Sequence, residues 1–248
     1  MTLIEWGMLL GIGGLAGFIN VLSAGGSMLT LPLLIFMGLS PQVANGTNRV
    51  AITLQSLAAV GSFMQAGQRH LAVSLRLSLP AVTGALVGAW LATWVSREMF
   101  EWVLIVSMIG ASAFMLLPQP ALETRPLTAD RLTLPAYAGM FLIGIYGGFI
   151  QVGVGALFIV VLYRMLKIDL PQVNVIKVLV ILIYTLPALG IFAANGQVLW
   201  GIGLILAAGH IAGAMLAVRV NMGPQGALWI KWLTLAMVVA ILVKLVWF

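Results

Sequence analysis

The sequence predicts an all-α polytopic membrane protein with two inverted repeats, each a glycine-broken helix or re-entrant hairpin followed by three transmembrane helices. Three observations predict it. Of 248 residues, 62% are hydrophobic and 7% are charged, against about 25% charged in a soluble domain, so most of the surface must face lipid. Apolar runs alternate with short polar breaks along the whole chain. Small motifs in the first half recur in the same order in the second, the mark of internal duplication.

Apolar segments run over 3–22, 28–38, 42–66, 71–95, 99–117, 133–150, 155–167, 171–194, 198–219 and 225–247. A crossing needs about 20 residues, so 28–38 and 155–167 are too short to cross alone. Each follows a glycine-rich break. The polar stretch from Pro118 to Arg131 is the seam, and it divides the chain into a first repeat (1–118), a linker (119–131) and a second repeat (132–248). Across that seam Pro41-Gln42-Val43 recurs as Pro171-Gln172-Val173. Gly61, Phe63 and Gly67-Gln68 recur as Gly190, Phe192 and Gly196-Gln197. The pair Gly84 and Gly88 recurs as Gly209 and Gly213, and Trp102 matches Trp232. The glycine pairs have the small-xxx-small spacing of close helix packing, within the chain or across a homodimer.

Charge argues for inversion. If 3–38 and 133–167 each cross once, the loop cations divide evenly between the two sides. If each is a hairpin that returns to its own side, Arg69, Arg76, Arg125, Arg131, Arg164, Lys167 and Arg219 share one side and Arg97 stands opposite. Cytoplasmic loops collect Lys and Arg, so the hairpin arrangement is favoured. Three crossings per half then invert the second half and place both termini outside. Kinked spanning helices remain the alternative, because the arm 3–22 is long for half a hairpin.

The first break runs from Gly17 to Ser27 and the second from Gly144 to Gly155. Glycine clusters at equivalent places suggest interrupted helices, which lipid tolerates only where protein or a watery cavity covers the freed backbone. The arm after each break starts near Gly25-Gly26 or Gly153-Gly155. Its free amides and positive dipole end point inward and suit an anion. Asn20, Ser23, Ser27 and Gln151 add neutral donors. Close helix packing is the plainer alternative.

These breaks carry a resemblance. The first, continued through Pro32 to Ala44-Asn45-Gly46-Thr47-Asn48, resembles the signature of the TauE/SafE sulfite exporter family, also grouped with toluene sulfonate uptake permeases. Gly144-Ile145-Tyr146-Gly147-Gly148 and Asn174-Val175-Ile176-Lys177 resemble its second repeat. The resemblance implies transport of sulfite, sulfonates, sulfoacetate or related anions across the bacterial inner membrane. Ser23 and Ser27 stand where the family commonly has glycine, and Val154 and Ala156 replace further glycines. These departures bear on the substrate.

Two cations lie inside the apolar segments. Arg49 is eight positions after Pro41 and Lys177 six after Pro171. At 1.5 Å per residue both approach the midplane, where an unpaired cation costs at least ~2.5–3.5 kcal/mol. Every acidic residue (Glu5, Glu98, Glu101, Glu123, Asp130, Asp169) sits near a segment end or in the linker. The counter-charge is therefore the substrate anion, or else the cations pair with carbonyls at a hairpin tip or snorkel. Asn45, Thr47, Asn48 and Asn174 add hydrogen bonds nearby. His210, in an apolar segment, is a packing or proton-handling residue.

The alternatives to an anion carrier are an anion channel, a carboxylate carrier and a membrane scaffold. An enzyme is not expected: the chain has no cysteine and two histidines, and it shows no metal-ligand cluster, paired intramembrane aspartates or nucleophile–base pair. Its other cations sit singly near segment ends, which fits topology and not nucleic acid. No cofactor or metal is expected.

Overall fold

The structure, a computed structural model, describes residues 2–22, 25–68, 70–116, 123 and 132–222. Among these the chain is helical: α1 (Leu3–Leu22), α2 (Ser27–Phe36), α3 (Pro41–Gln65), α4 (Leu71–Trp94), α5 (Arg97–Leu116), α6 (Leu134–Phe149), α7 (Val154–Phe158), α8 (Leu170–Ala194) and α9 (Trp200–Asn221). A π-helical segment, Ile159–Met165, continues α7. The expected segments match these within about two residues, apart from the π segment. The segment 225–247, Trp232, Ser23, Arg69, Arg125 and Arg131 lie outside the described residues.

The recurring motifs are helix ends. Pro41 and Pro171 open α3 and α8 in the first turn, where a missing N–H costs nothing. The Asp169 carboxylate accepts a 2.8 Å bond from Gln172 N and caps α8. Gly67 and Gly196 both take left-handed φ, +79° and +67°, just past α3 and α8. Gln68 N then donates to Phe63 O and Gln197 N to Phe192 O, the same six-residue closure in both places. The shared Phe–Gly-Gln pattern encodes a glycine-terminated helix twice.

Four helices, α1, α4, α8 and α9, are long and apolar enough to cross a membrane. Trp94, Trp102 and Trp200 sit near helix ends and are exposed, as an interfacial belt requires. The helices pack crosswise between the halves: α1 lies along α9 and α6 along α4, while α3 and α8 meet each other and also touch α9 and α4 respectively. Glycines make this possible. A Cβ on Gly84 would fall on Phe141 O, and on Gly88 it would fall on Ile145 O. At the other interface a Cβ on Gly209 would fall on Leu10 O, and on Gly213 it would fall on Gly14 O. Both small-residue faces are therefore used inside the chain.

Candidate functional site

Both helix breaks meet at one cavity. α1 ends at Leu22 and α2 starts at Ser27; α6 ends at Phe149 and α7 starts at Val154. Together with α3 and α8 they surround a cavity of about 20 Å³, whose polar wall is Asn20, Ser27, Gln55, Gln151, Gly155 and Lys177. Ile52, Val154, Val178 and Ile181 complete it. A space of that size admits one or two water-sized groups. No carboxylate among the described residues lines it.

Of the expected binding residues, Asn20, Ser27, Gln151, Gly155 and Lys177 are on this wall. Gly25 and Gly26 form the buried turn into α2. Gly153, at φ +68°, turns the chain into α7, and a Cβ there would meet the methyl of Ala111. Gly26 has ordinary helical angles, φ −57° and ψ −38°, so its role is contact and not conformation. A Cβ there would overlap Ala16 O and lie 2.5 Å from Asn20 Cγ and Oδ1. Gly26→Ala is expected to push α2 off α1 and turn Asn20 away from the cavity. Overpacking costs about 1–3 kcal/mol. Thermal unfolding should fall by several degrees, whereas Gly11→Ala, with nothing within 4 Å, should unfold no earlier than the wild type.

Asn45, Thr47, Asn48, Arg49 and Asn174 do not line the cavity; they fasten its frame. The last carbonyls of any helix lack intrahelical donors. At the end of α6, Arg49 Nη2 donates to Gly147 O (3.0 Å) and to Gly148 O, and Asn45 Nδ2 donates to Phe149 O (2.8 Å). At the end of α1, Lys177 Nζ donates to Val21 O (3.0 Å) and to Asn174 Oδ1 (2.8 Å), and Asn174 Nδ2 donates to Leu22 O (3.4 Å). An asparagine and a cation from the third helix of one half, α3 or α8, thus close the broken helix of the other. Positive charge here also meets the negative end of each helix dipole. The Arg49 guanidinium further lies 4.7 Å from the Phe192 ring centroid. Asn48 Oδ1 accepts from Thr30 Oγ1 (2.8 Å), and Thr47 Oγ1 accepts from Leu199 N (3.0 Å).

Of the roles open to the two cations, carbonyl capping is what both perform. Only Lys177 also reaches the cavity. Three residues were not singled out from the sequence as binding residues and belong to the same region. Gln55 Oε1 accepts from Asn20 Nδ2 (3.2 Å) and stands 2.8 Å from His210 Nδ1. Thr185 Oγ1 accepts from Gln151 Nε2 (2.6 Å). The available signal was a lone glutamine in the apolar run Ile52-Thr53-Leu54-Gln55, seven positions from Asn48 and so on the same helix face. No group of three metal-ligating side chains occurs among the described residues.

The family model described as sulfite exporter TauE/SafE matches residues 9–245. The chain belongs to the TauE/SafE family. Similar proteins to this TauE/SafE chain are called probable membrane transporter proteins. ORF9 of a Sinorhizobium species is 28% identical over 235 residues, covering 93% of this chain and 88% of its own. A Haemophilus influenzae protein is 28% identical over 217 residues, covering 85% and 83%. YfcA of Escherichia coli K12 is 27% identical over 218 residues, covering 86% and 79%. No solved structure matches. This TauE/SafE protein is a multi-pass membrane transporter.

Proposed function

We propose that the chain carries a small sulfur oxyanion or sulfonate (sulfite, sulfoacetate or a relative) across the bacterial inner membrane by alternating access. The observation that carries this reading is the cavity between the two breaks, where the Lys177 ammonium and neutral donors converge with no carboxylate among the described residues on the wall. An anion there supplies negative charge to a region that holds a cation and four polar side chains besides. The family's description, which names sulfite, favours a sulfur oxyanion over a carboxylate. A sulfonate head also presents three oxygens in a pyramid, which suits donors arriving from several helices better than a planar carboxylate does.

In this proposal residues 1–118 and 132–248 are inverted repeats joined by a linker, with both termini periplasmic. The exchange of caps supports it, because each half closes the other's broken helix. Rocking one half against the other would open the cavity to alternate sides and widen it from the size of one or two waters to that of the anion. A selective ligand that binds the folded state raises its unfolding temperature by mass action. Sulfite or a short sulfonate is expected to do so, and carboxylates of equal charge are not. Lys177→Gln should raise the half-saturating concentration about tenfold or more, the loss of roughly 1.4 kcal/mol. A panel of anions that shifts nothing overturns the reading, and non-saturating flux without trans-stimulation points to a channel instead.

A further inference from the structure

Gln55 sits in the middle of α3 and is 3% exposed. Its oxygen faces two donors from different helices, Asn20 Nδ2 on α1 and His210 Nδ1 on α9. An amide oxygen can only accept, so His210 carries its proton on Nδ1. The two contacts fix which way the carboxamide points. Its oxygen is held toward α1 and α9, which leaves the Nε2 amino group as the free end of a side chain that lines the cavity. That amino group has two N–H donors, and Gln55 makes no hydrogen bond among the described residues beyond the two to its oxygen.

The other amides on the wall differ. Asn20 donates to Gln55, and Gln151 donates to Thr185. In each half the amide at the break is thus tied to the third helix of the same half, α3 or α8. Only in the first half does the tie end in a residue with a further pair of donors, held by a histidine from α9. Two N–H donors on a cavity wall with no partner among the described residues are available to a ligand oxygen in the cavity.

Resting on the anion reading above, we propose that Gln55 Nε2 is a direct anion-binding donor of the transport site and that His210 is its positioning residue. Lys177 supplies charge without direction. Gln55 supplies direction, and His210 keeps its donors from rotating away. His210 does not itself line the cavity and touches the ligand only through Gln55.

The test is binding of inorganic sulfite and of methanesulfonate to the full purified chain, read by thermal shift titration. Gln55→Glu keeps an oxygen for Asn20 and His210 but replaces the amino group with an acceptor. Gln55→Met keeps the length and removes every polar atom. Both are expected to weaken binding roughly ten- to a hundredfold, the loss of a hydrogen bond to a charged group. His210→Asn keeps a donor near the place of Nδ1 and should bind within about threefold of the wild type, whereas His210→Leu should lose about tenfold, one such neutral bond. A packing role for His210 predicts the opposite order, since leucine fills the space better than asparagine. Binding by Gln55→Glu or Gln55→Met within about twofold of the wild type overturns the inference alone. A wild-type chain that binds neither probe overturns the anion reading and this inference with it.

Discussion

Replacing Gly88 with leucine is expected to leave no folded protein after purification in detergent. A Cβ at this position would lie on Ile145 O and 2.8 Å from Phe149 N. Both obstacles are backbone, so no side chain can swing away; α4 and α6 must separate. In lipid no hydrophobic force draws helices together, and close van der Waals contact is what holds them. A gap of an ångström forfeits a quarter to a half of each such contact. It would be felt along the whole interface, because Gly144 lies on Ala81 O and Gly148 on Ala85 O in the same way. The loss should exceed the roughly 1–3 kcal/mol of ordinary overpacking, out of a total stability of about 5–15 kcal/mol. Gly213→Leu should do the same at the α1–α9 contact, where the obstacle is Gly14 O. Gly110→Leu is the control, on an exposed face of α5 with nothing within 4 Å. Size-exclusion profiles and unfolding temperatures decide it. A Gly88→Leu protein that runs as a single species and unfolds like the wild type contradicts the close approach.

Arg49→Met is expected to lower stability by about 3–6 kcal/mol, the loss of two hydrogen bonds from a charged donor. Arg49 is fully buried, and its guanidinium holds Gly147 O and Gly148 O at the end of α6. Without it those carbonyls have no water to turn to. Each lost bond to a charged donor is worth about 1.5–3 kcal/mol, which brings two of them to the range given. Arg49→Lys should fall between, because it keeps the charge but not the reach that lets Nη2 bond both carbonyls. The signature is a loss of stability with the anion's half-saturating concentration unchanged in the folded fraction. Lys177→Gln should shift the half-saturating concentration, because Lys177 alone of the two lines the cavity. If Arg49→Met stays stable and loses anion binding, the roles assigned to the two cations are reversed.

Much of this was legible along the chain. Helix ends were, because proline, glycine and charge mark them: Pro41, Gly67, Pro171 and Gly196 bound α3 and α8 as their spacing implies. The breaks were, because glycine clusters have few other uses in a lipid-facing segment. That Arg49 and Lys177 need partners was evident from composition, and carbonyls at a hairpin tip were one of the open readings; which half supplies them was not legible, since a carbonyl belongs to every residue and leaves no trace in a sequence. Partner choice among helices was equally hidden. Gly84 and Gly209 announce a close neighbour without naming it. Gln55 escaped notice because one polar residue in an apolar run looks like a satisfied core residue until its two acceptor contacts are seen. The π-helical turn at Ile159–Met165 follows from no residue that we can identify.

The crosswise packing of α1 on α9 bears on how the chain is made. α1 leaves the ribosome first, and the helix that will cover its glycine face is finished roughly 200 residues later. At about 5–20 residues per second that is an interval of some 10–40 s. For that time the groove of Gly13, Gly14 and Gly17 has no protein against it, and Val21 O and Leu22 O wait for a lysine and an asparagine not yet synthesised. α1 must therefore persist in the bilayer without its final neighbours until α8 and α9 arrive, whereas α4 and α6 can pair earlier.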